Sequence, residues 1–391
     1  MKNVGVFFGS KTPEHDVSII TAQTIISGLK KMGYNIVPVY LSKEGEWYID
    51  KKLGTIKFFV TDNYESLLKK TDRYYIDLEK SVGKIVFKSK KLLGKEITVD
   101  IAFPAFHGIN GEDGTIQGLF EIFNIPYVGC GVASSAITMD KVLTKQFYIS
   151  NDIPTTKFIN FNNDDWKTKK DELLKNIKDN LTLPFFIKPA RLGSSIGIAK
   201  VKKIEELKFA IEVALHYDAK ILVEEGVTNL KDLTCCVIGN QEPITSEIQE
   251  SSFGDEFFSY DEKYLNDGGA QLGNAQKSII IPANIDADVT KKIKDLSAQV
   301  YKALDCSGIA RVDFLYNSVE KKIFVNEVNT LPGTLYHHLW KASGLEFDGL
   351  LKKLVQYAEE KYEEKKAIKY NFESSLLKMT KSIKLQQKID H

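Results

Sequence analysis

The 391-residue sequence predicts a mixed α/β and α+β protein whose N-terminal part holds a parallel sheet. Three observations predict it. An apolar run at residues 4–9, a helical period over 17–32 closed by Gly33, and an apolar run at 36–41 make a β–α–β unit, whose strands lie parallel. From residue 132 the pattern changes to short apolar runs alternating with amphipathic stretches. Late in the chain, alternating runs at 309–316 and 322–328 read as a hairpin.

The remaining elements follow in order. Residues 43–95 are rich in lysine and tyrosine and add strands and a helix to the first unit. A strand over 101–106 ends at His107-Gly108. Lys141 opens a helix, 184–187 and 220–223 are short strands, and 200–216 is a strand end, loop and helix. Helices are expected over 286–304 and 347–361. The lysine-rich stretch after 366 reads as an added helix or a frayed tail. The pattern changes divide the chain into 1–130, 131–227, 228–366 and a tail of 367–391.

Composition excludes several classes. A net charge of +1 gives no global attraction to nucleic acid or an anionic membrane. No apolar run is long enough to span a bilayer, and the first residues enter a strand without a signal-peptide core, so a cytoplasmic protein is expected. Cys130, Cys235, Cys236 and Cys306 form no C-x-x-C pair, which argues against a disulfide framework or a zinc site. Cations are nearly all lysine. Arginine stands only at 73, 191 and 311, and the last two fall inside motifs where a planar fork would suit an anion.

Three constellations carry chemistry. In Arg311-Val312-Asp313 and Glu327-Val328-Asn329 the outer residues are two apart on a strand, so each pair shares a face. Two carboxylates, an amide and a guanidinium around one point suit a hard cation with phosphate; a salt-bridged sheet face is the alternative. Next, a strand delivers Lys188 into Pro189-Ala190-Arg191-Leu192-Gly193-Ser194-Ser195, whose backbone N–H groups and hydroxyls suit phosphate oxygens. Third, Glu224-Glu225-Gly226-Val227 leaves a strand and Asp232 follows, a pattern that could read an adenine edge and ribose hydroxyls. The early Gly9-Ser10-Lys11-Thr12 imitates a P-loop, but Ser10 interrupts it, and no G-x-G-x-x-G follows the first strand.

In this order the three constellations resemble the ATP-grasp fold. Further segments narrow the resemblance to the D-alanine–D-alanine ligase family, over about residues 4–362. They are Glu14-His15-Asp16-Val17-Ser18, Phe106-His107-Gly108 with Gly111-Glu112-Asp113-Gly114, Met139-Asp140-Lys141, Phe257 to Tyr264, and Asn326 to Gly333. The resemblance implies an ATP-grasp fold behind an N-terminal Rossmann-like domain. It implies ligation of two D-alanines through an acyl phosphate, with ATP and two Mg²⁺ (or Mn²⁺) ions, for peptidoglycan precursors. Lys141, Lys188, Ser195 and Lys263 would hold ATP phosphates, Glu224, Glu225 and Val227 the adenine, and Asp232 the ribose. Asp313, Glu327 and Asn329 would hold metal. Arg311 and the Gly333 N–H would stabilise the oxyanion. Asp16 would receive the ammonium of the first D-alanine, with Val17, Ser18 and His107 beside it. Ser194 and Tyr264 would complete a network with Asp16, and Thr334 would meet the second substrate. Small-molecule substrates and a homodimer are implied. Glu112 and Asp113 read as turn and capping groups.

Two departures stand out. Asp16 occupies the place assigned to a family glutamate, and the loop after Gly333 is short, running through Thr334-Leu335 into Tyr336-His337-His338. The alternative enzyme is a related ligase with a different acceptor. A nucleotide-binding chain without ligase activity is disfavoured, because lysines, metal ligands and oxyanion arginine are all present.

Overall fold

The computed structural model describes residues 2–251 and 279–369. The first sheet contains β1 (Asn3–Gly9), β2 (Asn35–Leu41), β3 (Trp47–Ile49), β4 (Arg73–Ile76), β5 (Ile85–Ser89), β6 (Glu96–Val99) and β7 (Ile101–Pro104), in the order β6-β5-β4-β3-β2-β1-β7. Only β2-β1-β7 is parallel; β3 to β6 extend it as an antiparallel meander. The parallel part is the β–α–β unit, because the long helix α1 (His15–Lys31) forces a crossover between β1 and β2. The short connections β2–β3, β4–β5 and β5–β6 permit only antiparallel neighbours, and β4 pairs antiparallel with β3 after the longer excursion through residues 50–72.

The second sheet contains β8 (Phe158–Asn162), β9 (Phe185–Pro189), β10 (Ala199–Val201) and β11 (Lys220–Glu225), in the order β10-β9-β11-β8. The third contains β12 (Leu230–Gly239), β13 (Ile244–Ser251), β14 (Ile279–Ile280), β15 (Gly308–Asn317) and β16 (Lys322–Asn329), in the order β14-β13-β12-β15-β16. Helices α2 (Ile56–Phe59), α3 (Tyr64–Lys69) and α4 (Thr115–Ile122) belong to the first unit. α5 (Val132–Met139) and α6 (Lys141–Ser150) lead to the second sheet, with α7 (Asn163–Asn180) and α8 (Leu207–Ala214). α9 (Ala287–Ala303) packs on β12 and β13, and α10 (His337–Ala342) and α11 (Phe347–Lys366) close the described chain.

The chain's end returns to its beginning. Ile25, Ile26 and Leu29 of α1 share one buried cluster with Leu339, Trp340, Leu350, Leu351 and Leu354. Each fully buried aliphatic side chain contributes about 1.5–3 kcal/mol, so this seam fixes α1 against the segment after β16. Gly28 makes the approach possible, since a Cβ there would lie 2.4 Å from Leu351 Cδ1.

A second close approach joins the first unit to the third sheet. Gly308, at the start of β15, has φ +70°, and a Cβ there would lie 2.7 Å from the Gly129 N. Ser307 Oγ donates to the Gly129 carbonyl at 3.0 Å. Gly308→Ala is therefore expected to cost more than about 1 kcal/mol and to lower the melting temperature by several degrees. A melting temperature unchanged to within about a degree in thermal denaturation would contradict this packing.

Candidate active site

The β15–β16 register decides the geometry. Arg311 pairs with Asn329 and Asp313 with Glu327, so the four side chains stand on one face of two neighbouring strands. Asp313 is the centre. Arg311 Nε donates to both its oxygens, at 2.9 and 3.0 Å, and a terminal guanidinium nitrogen donates to Oδ2 at 2.6 Å. Thr234 Oγ1 from β12 donates to Oδ1 at 2.9 Å, and Asn329 Nδ2 to Oδ2 at 3.1 Å. Burial would weaken the Arg311 charge, but the Asp313 carboxylate outweighs it and holds its pKa well above the usual value. The ring of Tyr336 lies 4.9 Å from the guanidinium carbon.

Facing this wall are α6 and the loop after β9. Asp140 caps α6, accepting from the N–H groups of Val142 and Leu143, and thereby aims Lys141. Lys141 Nζ donates to the Leu192 carbonyl at 2.6 Å. Burial lowers its pKa, partly countered by Glu327. Lys188, at the end of β9, pairs with Glu224 of β11. The other Glu224 oxygen lies 2.8 Å from Lys145 Nζ. Burial alone would raise the Glu224 pKa, but the two lysines hold it far below the carboxylate range.

The glycine-serine loop is tied down at both ends. Arg191 forms a bidentate pair with Asp218, with bonds at 3.2 and 2.6 Å, so this arginine anchors the loop outward. Ser194 Oγ donates to Glu14 Oε1. Gly193 allows that contact, since a Cβ there would lie 3.0 Å from Glu14 Oε2.

The third wall comes from the ends of β1 and β7. His107 Nε2 is 2.9 Å from Thr21 Oγ1, which accepts from the Thr334 N–H at 3.2 Å. Burial, then the Arg311 charge, lowers the His107 pKa to about 3. The ring is neutral and shares one hydrogen bond with the Thr21 hydroxyl through Nε2. Glu112 accepts from the Gly108 N–H at 2.7 Å. Burial and the nearby Glu14 raise its pKa to about 8.

These walls enclose ≈ 660 Å³ of space, part of it open to solvent. Of the residues expected at the site, the lining includes His107, Lys141, Ser194, Arg311, Glu327, Asn329 and Gly333. Asp313 lies directly behind Arg311 and Asn329. Asp16 is a correction. It is exposed on the outer side of α1, whereas Glu14 at the N-cap is buried, lines the cavity and bonds Ser194. Val17 and Ser18 stand apart from the cavity lining; Ser18 Oγ ties the Gly9 N–H to the Ala105 carbonyl. Glu225 turns away to accept from the Thr182 N–H at 2.9 Å, while Ser195, Val227 and Asp232 are half-buried beyond the lining. Lys263 and Tyr264 lie outside the described residues.

Comparison with known proteins gives this arrangement its context. Residues 3–130 match the family described as "D-ala D-ala ligase N-terminus" and residues 147–356 the one described as "D-ala D-ala ligase C-terminus". The chain belongs to the D-alanine–D-alanine ligase family. It is 38% identical to D-alanine–D-alanine ligase of Thermosipho melanesiensis, over 97% of this chain and 99% of that protein. It is 39% identical to the enzyme of Caldicellulosiruptor bescii, over 95% and 98%. Among solved structures it is similar to the VanG D-Ala:D-Ser ligase of Enterococcus faecalis, with TM-score 0.77, 35% identity and coverage of 91% and 99%. It is also similar to the D-alanine–D-alanine ligase of Coxiella burnetii, with TM-score 0.75, 29% identity and coverage of 94% and 98%. The fold is the ATP-grasp fold of these ligases.

Among the described residues, no group of three or more His, Cys, Asp or Glu side chains is placed to hold a metal ion. Asp313, Glu327 and Asn329 together offer two carboxylates and an amide on one face, a set that would suit a cation sharing its shell with phosphate. Two groups at the site escaped sequence reading. Lys145 looks like an ordinary helix lysine, and Glu112 like a turn residue. Asp113 does serve the turn, accepting from the Asn110 and Thr115 N–H groups, which leaves Glu112 to the cavity.

The Glu112 shift fixes a pH dependence. Its folded-state pKa is raised, so folding holds its proton from the unfolded value up to about 8. The stability tied to that proton is complete below the unfolded pKa and is lost as pH rises through that window. Glu112→Gln should flatten the fall of melting temperature between about pH 5 and 8 and raise it at pH 8. Parallel melting curves for the two proteins would contradict a protonated Glu112.

Proposed function

We propose that the protein joins two D-alanines at the expense of ATP, giving D-alanyl-D-alanine for peptidoglycan precursors with ADP and phosphate. One observation carries this reading. The paired register of Arg311/Asn329 and Asp313/Glu327 faces Lys141 and Glu14 across one cavity. That places positive charge where a phosphoryl group would travel and a carboxylate where a substrate ammonium would dock.

The residues divide the work as follows. Lys141 and Lys188 hold the ATP phosphates, with Ser195 and the loop N–H groups. Glu14, steadied by Ser194, receives the ammonium of the first D-alanine, and His107 stands near its carboxylate. That carboxylate attacks the γ-phosphorus and ADP leaves, giving the acyl phosphate. The amine of the second D-alanine then attacks the carbonyl carbon. Arg311 and the Gly333 N–H hold the resulting oxyanion, and phosphate leaves as the peptide bond closes. Asp313, Glu327 and Asn329 fit two Mg²⁺ (or Mn²⁺) ions, once the Asn329 amide turns its oxygen forward. Such ions neutralise charge on the transferring phosphoryl group. The backbone of Glu224 to Val227 meets the adenine and the Asp232 carboxylate the ribose. The second sheet with α7 and α8 would act as the small lobe (131–227) and the third sheet as the large lobe (228–366), behind the 1–130 unit. The family likeness also supports a homodimer working in the cytoplasm.

The acceptor side has its own signature. Thr334, Leu335 and Tyr336 all have left-handed backbone angles, with φ of 48°, 57° and 47°. Three such non-glycine residues in a row cost free energy that a functional site explains. The Thr334 N–H is occupied by Thr21, while its buried Oγ1 has no partner. That hydroxyl is the donor available to the second substrate's carboxylate, in place of a longer loop.

The function is tested by supplying ATP with D-alanine and equimolar D-serine or D-lactate, and identifying products by mass. D-alanyl-D-alanine as the main product is expected. A mixed dipeptide or ester in excess would make the protein a relative with a different acceptor, as the name of the Enterococcus faecalis neighbour suggests for that enzyme. Thr334→Val should raise the KM for the second D-alanine several-fold and leave ATP binding unchanged; an unchanged KM removes Thr334 from the site. Glu327→Gln keeps shape but removes charge, so turnover should fall by orders of magnitude. Near-native Mg²⁺-dependent turnover would refute the metal assignment.

A further inference from the structure

Lys145 has no part in the chemistry above, yet its side chain is only 2% exposed. It lies one turn after Lys141 on α6 and faces inward like it. Its Nζ is 2.8 Å from Glu224 Oε2, and it donates to Thr155 Oγ1 at 2.9 Å and Thr156 Oγ1 at 2.8 Å. All three ammonium protons therefore have oxygen partners. Thr156 Oγ1 also donates to Glu224 Oε2 at 2.9 Å. Lys188 holds the remaining oxygen, Oε1. One buried carboxylate thus carries two lysines.

The two lysines differ in freedom. Lys145 is sealed in, while 10% of the Lys188 side chain reaches solvent at the mouth of the loop. A buried carboxylate left without a counter-charge is strongly unfavourable, whereas one retained partner is enough to keep it ionised. We propose that Lys145 is a positioning residue that keeps Glu224 compensated while Lys188 swings from it to the phosphates of a nucleoside di- or triphosphate. This rests on the reading of Lys188 as a phosphate ligand.

Without Lys145, moving Lys188 to ATP would strand the Glu224 charge, and Glu224 would compete with ATP for its only cation. The full-length protein is tested by calorimetric binding of Mg-ATP and Mg-ADP and by steady-state kinetics. Lys145→Met should weaken both nucleotides at least about tenfold and raise the KM for ATP, because a stranded buried charge costs that much or more. The kcat should change by less than about threefold, and the D-alanine KM should hold, because no reacting group is touched. Lys145→Met/Glu224→Gln leaves no charge to strand, so it should bind ATP more tightly than Lys145→Met alone. A purely structural role predicts the reverse, and a double variant weaker than the single one overturns the proposal. Native ATP binding by Lys145→Met, with Lys188→Met impaired, also overturns it while sparing the phosphate reading. Native binding by Lys188→Met overturns both. Should Lys145→Met fail to fold, Thr156→Val keeps both charges but removes one bond from each. Weaker ATP binding by a few-fold then supports the proposal, and unchanged binding overturns it.

Discussion

Asp313 is the carboxylate around which the site is built. It is nearly buried and takes hydrogen bonds from Arg311, Thr234 and Asn329, on three adjacent strands. Removing one member of such a buried pair costs about 3–5 kcal/mol, since the partner charge is left bare. That constraint fixes the Arg311 fork in one orientation. It also fixes the face that Glu327 shares with it, because a one-residue slip of β16 would send Glu327 and Asn329 to the far side. The third sheet therefore exists in one register or has no site.

The opposite wall obeys the same electrostatics with the signs exchanged. There a single buried carboxylate, Glu224, gathers two lysines from α6 and β9. The two walls are brought face to face by packing far from either. α1 lies against α10 and α11, which follow β16 directly, so the segment Thr330–Tyr336 must pass beside Thr21 and His107. The hydrogen bond from the Thr334 N–H to Thr21 joins that seam to the cavity. Burial and neighbouring charges then set protonation, with His107 neutral beside Arg311 and Glu112 protonated beside Glu14.

Much of this is legible in the sequence because a strand has a period of two. Arg311 with Asp313, and Glu327 with Asn329, could be put on one face by counting alone, and the register in the fold agrees. The β–α–β start was equally legible, but the antiparallel meander after β2 was not, since its strands are short and its apolar pattern weak. Counting along the motif places Asp16 at the cavity, whereas Glu14 lines it, because a motif gives no direction at a helix N-terminus. The N-cap residue points into the site, and the residue two later points to solvent. Lys145 was missed and Arg191 misjudged because their partners, Glu224 and Asp218, arrive from another strand or loop. Pairing over that sequence distance has no local pattern.

The proposed chemistry depends on activation of a carboxylate by phosphoryl transfer before the peptide bond forms. Supplying D-alanine labelled with ¹⁸O in its carboxylate, with unlabelled ATP and water, tests that directly. Each dipeptide formed should release one phosphate carrying a single ¹⁸O, the oxygen that attacked the γ-phosphorus. Dipeptide accompanied by unlabelled phosphate would contradict it, since the carboxylate oxygen would never have been bonded to phosphorus.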